Sequence, residues 1–317
     1  MKNIYFLFLL FSFSATVSAQ QLAHWTQFRS FDYVVNPAAV DLFDPYGSWK
    51  TLDIDLAYRH QWTEFEGAPR TALAGAKYTN EHNHMSFGGF VANDKFGPAS
   101  YTQVQMFYSY QLQFHRYRRH GLSIGLGVSG SQFHLDGSKI KVEELNDDLL
   151  NDAMQSRFFP NATAGIFYYL QVGSGRRNQK FFFSGFSAEQ SFPGDLYFDG
   201  QGQQQGNLKR AVHYHAYAGM RFYFDDGYGY AEPIAWVKHV FYAPTNVWAG
   251  VRTALFDEHL FAGAAISSDW QAHLQIGAGL GENWQLHYSN SFFLASTFEA
   301  SAGLTHELVL SYQMGWD

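Results

Sequence analysis

The chain has 317 residues, 21 Lys and Arg against 28 Asp and Glu for a formal net charge of −7, and no cysteine. Scattered basic residues under a negative total argue against a nucleic-acid binder, and no disulfide or Cys/His metal framework exists. Aromatic residues make up 19% and glycine 29 positions, yet mean hydropathy is only −0.25, which suits a soluble domain or a barrel whose strands are half polar.

The N-terminus carries Lys2, an apolar run from Ile4 to Phe13, and Val17-Ser18-Ala19 before Gln20. This pattern predicts a secretory signal peptide, residues 1–19, cleaved after Ala19. The run is shorter than the ~18 residues of a membrane span. Residues 20–50 do not alternate cleanly and contain Asn36-Pro37 and Asp44-Pro45, both turn formers. They are expected to fold at, or into, the periplasmic mouth, the alternatives being an extra strand or an unstructured lead.

Residues 51–317 read as an all-β, transmembrane outer-membrane β-barrel. Apolar residues alternate with small or polar ones in segments of roughly ten, the signature of membrane-crossing strands. One segment shows the logic: Leu122, Ile124, Leu126 and Val128 share one face, and Ser123, Gly125, Gly127 and Ser129 the other. About fourteen antiparallel strands are predicted, near 51–60, 70–79, 84–93, 101–114, 120–134, 158–170, 180–189, 211–224, 230–241, 246–256, 259–268, 270–280, 283–293 and 304–314.

Alternate connections are short, such as Asn80–Asn83, Asp257–Glu258 and Gly281–Glu282, whereas Leu135–Arg157 and Gln190–Arg210 are long. Outer-membrane barrels have short periplasmic turns and longer outer loops, so both ends of the chain are expected in the periplasm. Aromatics near strand ends, among them Tyr58, Trp62, Tyr168, Tyr169, Trp270 and Trp284, fit girdles at the two membrane interfaces. Parity sends Asp53, Asp55, Arg59, Gln103, Gln105, Gln111, Gln113, His213, His215, Arg221, Arg252, His273, His287 and Glu307 into the lumen. That interior mixes both signs, which predicts cross-lumen pairing and a filled interior rather than a selective pore.

Signals of chemistry are weak. Gly121-Leu122-Ser123-Ile124-Gly125 fits G-x-S-x-G, but the alternation runs on to Ser129 where a nucleophile elbow needs a sharp turn. His213-x-His215 puts two imidazoles on one strand face, which is not by itself a metal site. No catalytic residue, cofactor or metal is expected, and the chain is read as non-enzymatic. Glu143, Glu144, Asp147, Asp148 and Asp152 crowd one long loop beside Leu145, Leu149 and Ala153 at helical spacing. A short helix with a solvated acidic face is expected there. Arg116, Arg118, Arg119, Arg176 and Arg177 lie on short turns, either meeting an acidic partner or fixing the rim.

An ordered set of motifs resembles the PorP/SprF family of the Bacteroidetes type IX secretion system. Gln27-Phe28 and Asn36-Pro37-Ala38 are similar to the family's "QF…NPA" stretch. Tyr58-Arg59-His60-Gln61-Trp62 resembles "YRxQW", followed by Gly67-Ala68-Pro69 with Thr71. Gly88 through Asn93-Asp94-Lys95-Phe96-Gly97-Pro98 resembles "G…NDKxG". Phe158, Pro160-Asn161, Gly165 and Tyr168-Tyr169, then Tyr217-Ala218-Gly219, Phe222 and Glu232-Pro233, resemble later family runs. The family's "NPAxAG" lacks its Gly here, so the local turn is expected to differ.

The resemblance implies an outer-membrane barrel that scaffolds secretion or the surface anchoring of exported proteins or gliding adhesins. Its implied partners are outer-membrane lipids and either secretion-ring or lipoprotein components or a secreted surface adhesin. Candidate partner or structural residues are Asn36, Pro37, Arg59, Gln61, Trp62, Gly67, Pro69, Asn93, Asp94, Lys95 and Gly97. Arg59 is expected to pair with Asp94 or a neighbouring carboxylate, within one loop cluster at the outer rim. The competing reading is an outer-membrane channel or hydrophobic-compound transporter.

Overall fold

A computed structural model describes residues 25–40, 50–114, 120–136, 154–156, 158–173, 179–193, 198–199, 210–224, 228–241, 243–294 and 303–315. The predicted signal peptide, the acidic helix of the long loop and the arginine turns lie outside the described residues.

Strands account for nearly all of the remainder: β1 (Lys50–His60), β2 (Arg70–Asn80), β3 (Met85–Phe96), β4 (Ala99–Gln113), β5 (His120–Leu135), β6 (Met154–Ser156), β7 (Phe159–Val172), β8 (Lys180–Glu189), β9 (Phe198–Asp199), β10 (His213–Phe224), β11 (Gly229–Val240), β12 (Asn246–Leu255), β13 (Leu260–Ser267), β14 (Gln271–Leu280), β15 (Trp284–Phe293) and β16 (Thr305–Gly315). β6 and β9 are short and pair with each other, with β6 also against the end of β5. The other fourteen pair antiparallel with their neighbours, and β1 pairs along its length with β16, which closes the barrel. Closure leaves the fourteen barrel strands with no open edge, as a lipid-facing sheet requires. Among the described residues no helix is long and apolar enough to cross a membrane.

The period of two decides which side chain meets which solvent. On β5, Ile124, Leu126 and Val128 are exposed outward while Ser123, Gly125 and Gly127 are buried inward. Met106, Ile166, Ile266 and Ile276 continue the outward apolar surface. Every parity-assigned lumen residue from Asp53 to Glu307 is buried or half-buried.

The two rims differ. One carries tight connections such as Phe256–His259, where Phe256, Asp257 and Glu258 all adopt positive φ, and the β14–β15 turn at Gly281. The other carries longer segments, including Gln61–Pro69 and those containing β6 and β9. It also contains two short exceptions, Gly97-Pro98 between β3 and β4 and Ser268–Trp270 between β13 and β14.

The first described segment, residues 25–40, crosses the inside of the barrel. Two single 3₁₀ turns, Phe28–Ser30 and Asp32–Val34, bend it tightly. Trp25, Phe28, Phe31 and Tyr33 join the inward Phe107, Phe167, Phe183, Tyr217, Trp236 and Trp248 in one hydrophobic cluster. The core of this protein is therefore a plug inside a sheet.

Candidate functional site

The plug is fastened by hydrogen bonds and charge at three levels. Nearest the long-loop rim, Glu307 on β16 accepts the backbone N–H of Thr26 at 2.9 Å and of Gln27 at 2.8 Å. The same carboxylate meets Arg59 Nη1 at 3.0 Å. Arg59 and Glu307 stand directly opposite each other in the β1–β16 register, so closing the barrel is what builds the pair.

Lower down, Arg29 Nε donates to Glu232 Oε1 at 2.9 Å and also bonds Asp32 of the plug. Glu232 on β11 further receives Arg221 Nη2 at 2.8 Å, with Arg252 Nη2 at 3.9 Å. The Arg221 guanidinium lies 4.0 Å from the centre of the Tyr230 ring, and that of Arg29 lies 4.5 Å from the Phe183 ring. One carboxylate holding three guanidiniums stays buried because each cation has a second contact.

Between these levels the Asn36-Pro37-Ala38 motif presses against strand backbone. Asn36 Nδ2 donates to the Ile166 carbonyl at 3.0 Å, and its Oδ1 accepts the Ala38 N–H at 2.9 Å. A Cβ added at Gly165 would lie 2.0 Å from Asn36 Oδ1, and one at Gly125 only 2.4 Å from Ala38 N. These two strand glycines leave the groove into which the plug fits. Tyr33 completes the fastening by donating to Asp55 at 2.8 Å. The chain just beyond Val40, where the family's Gly is missing, lies outside the described residues.

Above the plug is a cavity of about 760 Å³ at the long-loop rim. Trp25, Val34 and Val35 floor it; Phe90, Phe133 and Trp236 supply apolar wall. Polar wall comes from Arg59, Asp94, Gln103, Glu189, His215 and Lys238. Gln103 Nε2 donates to Glu189 Oε1 at 2.9 Å, and His215 Nε2 lies 3.7 Å from Glu189 Oε2.

The eleven residues singled out from sequence divide among these features. Asn36 and Pro37 form the plug contact, and Arg59, Gln61, Trp62, Pro69 and Asp94 line the cavity. Gly67 and Gly97 meet across two loops, the Gly97 N–H donating to the Gly67 carbonyl at 2.9 Å. Asn93, Asp94 and Lys95 stand on β3 rather than in a loop, because β3 runs on to Phe96. Their side chains bond across the sheet instead of capping it: Asn93 Nδ2 donates to Thr102 at 2.8 Å, and Asp94 accepts the Thr71 hydroxyl at 2.7 Å. Asp94 is thus engaged with Thr71, and the carboxylate on Arg59 is that of Glu307. Lys95 is exposed and outside the cluster.

Ser123 of the G-x-S-x-G pattern is buried in mid-strand, where no turn presents it. His213 and His215 both face inward on β10. Among the described residues no group of three His, Cys, Asp or Glu is placed to hold a metal. Trp25, Phe31 and Tyr33 were not singled out, and Phe28 and Glu232 appeared only within family-like motifs, with no role at the site. Trp25, Phe28, Phe31 and Tyr33 recur every two or three residues, a spacing that signals a buried, tightly turning segment.

Similar folds occur among solved structures, at low identity. The Pseudomonas putida toluene transporter TodX shares 8% identity and a TM-score of 0.49, over 95% of this chain and 96% of that one. The Ralstonia pickettii toluene transporter TbuX shares 8% and 0.47, over 84% and 88%. CdiB from Acinetobacter baumannii shares 7% and 0.41 over 84% of this chain, which spans only 60% of that protein. Likenesses this distant say nothing about cargo. No curated protein matches the sequence. A family model described as "Type IX secretion system membrane protein PorP/SprF" matches residues 17–312. With a closed fourteen-stranded barrel beneath that match, the chain belongs to the PorP/SprF family of type IX secretion system membrane proteins and is an outer-membrane barrel of that system.

Proposed function

We propose that this protein is a non-enzymatic scaffold that holds exported polypeptide at the cell surface, with its long-loop rim facing outward. The observation that carries the reading is the plug. Residues 25–40 occupy the lumen and are tied to β1, β7, β11 and β16. A barrel fastened this way offers a rigid surface and a dead-ended cavity, which suit docking better than passage. Export by a signal peptide cleaved after Ala19 belongs to the same reading, and N-terminal sequencing of the mature protein should begin at Gln20.

The partner test is to crosslink intact cells, purify the barrel from detergent-solubilised outer membrane and identify what accompanies it by mass spectrometry. A large surface protein supports the anchoring role. Secretion-ring or peptidoglycan-linked lipoproteins would instead make the short turns the working face and the barrel a structural piece of the machine. A barrel that reproducibly comes down alone, and conducts in a planar bilayer, would overturn both scaffold roles in favour of a channel.

A further inference from the structure

The cavity above the plug is larger and more varied in its wall than packing alone requires. We propose that it is a peptide-binding site, taking a short uncharged segment with apolar or aromatic side chains from a polypeptide presented at the long-loop rim. The proposal rests on the reading of that rim as the face that meets exported chains.

Size and shape come first. At about 760 Å³ the cavity is as large as sites that enclose whole ligands. The plug residues Trp25, Val34 and Val35 line it, so a guest that enters from the rim meets the plug. Arg59 already has its counter-ion in Glu307 at 3.0 Å. The carboxylates of Asp94 and Glu189 are held by neutral donors, the Thr71 hydroxyl at 2.7 Å and the Gln103 amide at 2.9 Å. Lys238 adds a second cation to the wall. A charged guest would have to bring one more ion out of water into this wall. An uncharged segment avoids that cost, and the faces of Phe90, Phe133 and Trp236 reward apolar side chains.

Two residues on the wall distinguish a peptide from a hydrocarbon. Trp62 and Gln190 both line the cavity and both adopt positive φ, at 54° and 55°. Such backbone is uncommon for these residue types and is often kept where a site needs it. Trp62 Nε1 and Gln190 Oε1 are buried without a hydrogen-bond partner among the described residues. One is a donor and the other an acceptor, the two functions of a backbone amide. A guest amide offers a partner to each, whereas a hydrocarbon leaves both unpaired.

The test places a photo-crosslinking amino acid at Ala243, which lines the cavity from the β11–β12 connection, in the full-length protein in cells. The expected adducts fall on one uncharged, apolar stretch of a single polypeptide. Ala92→Trp, which fills the cavity from β3, should cut adduct yield by about tenfold or more. Gln190→Gly is the second variant. It suits the positive φ but removes the acceptor together with the Nε2 bond to the Tyr101 hydroxyl at 3.1 Å, and it too should lower the yield. Adducts on charged segments, on small molecules only, or none at all would overturn the proposal, as would a yield indifferent to both variants. A surface partner that copurifies equally with the wild type and Ala92→Trp, with no adducts, sinks this proposal and leaves the scaffold reading standing. Specific adducts without any surface partner in the crosslinked complex sink the scaffold reading and leave the binding class intact.

Discussion

Glu307 and Glu232 hold the plug by different chemistry, and their substitutions should separate the two. Glu307 supplies acceptors to two plug N–H groups and a counter-charge to Arg59. Glu307→Ala leaves both N–H groups without their acceptor and Arg59 with only the Thr26 hydroxyl at 3.1 Å, and breaking a buried pair this way costs about 3–5 kcal/mol. Glu307→Gln keeps an acceptor oxygen and loses the charge, so its loss of stability should be smaller. Equal losses from the two, in denaturant unfolding of the detergent-solubilised barrel, would mean that the N–H contacts contribute nothing measurable. At Glu232 the balance is lopsided, with Arg29, Arg221 and Arg252 gathered on one carboxylate. Glu232→Ala leaves three buried guanidiniums without it, whereas Arg29→Ala leaves Glu232 still paired with Arg221. The carboxylate variant should therefore unfold at the lower denaturant concentration, and the double variant should cost less than the sum of the singles. An additive double variant would show that Arg29 and Glu232 are not coupled.

The plug is the element on which the others depend, and its seat is narrow. Gly125→Ala sets a methyl group against plug backbone at 2.4 Å, where no side-chain rotation relieves it. The variant barrel should close but expel residues 25–40, seen as protease cleavage in the plug with the strands protected. Excision of residues 25–40 should likewise give an ion-conducting barrel in planar bilayers, against a silent wild type. Most strands were legible because a period of two survives in every one of them; β5, expected at 120–134, spans His120–Leu135. The plug's contacts were not, since 3₁₀ turns have no period to read and its fastenings lie up to 281 residues away in sequence. Parity placed Arg59 and Glu307 inside, but their pairing follows only from joining the first strand to the last. The strand expected to end near residue 93 runs on to Phe96, where cross-strand bonds of Asn93 to Thr102 and Asp94 to Thr71 extend the pairing. β6 and β9 were too short to show any alternation.

At the scale of the whole molecule, the barrel is an ordinary hydrophobic protein turned partly inside out, with one apolar surface around the plug and a second facing lipid. The inner surface is stabilised by packing, and the outer one only by its solvent. The outer surface should therefore show a cost for charge that depends on depth in the bilayer and on nothing else nearby. Leu126 lies near the middle of β5 and is 65% exposed, while Val172 closes β7 at the short-turn rim and is 53% exposed. Arginine at the bilayer midplane costs about 2–4 kcal/mol and near an interface about 0–1 kcal/mol. Leu126→Arg should accordingly be destabilised far more than Val172→Arg, as read by reversible folding into lipid vesicles. In detergent micelles, which adapt to the protein, the gap should narrow. Equal costs in vesicles would mean that the apolar band around β5 and β7 is not the surface that meets the bilayer core.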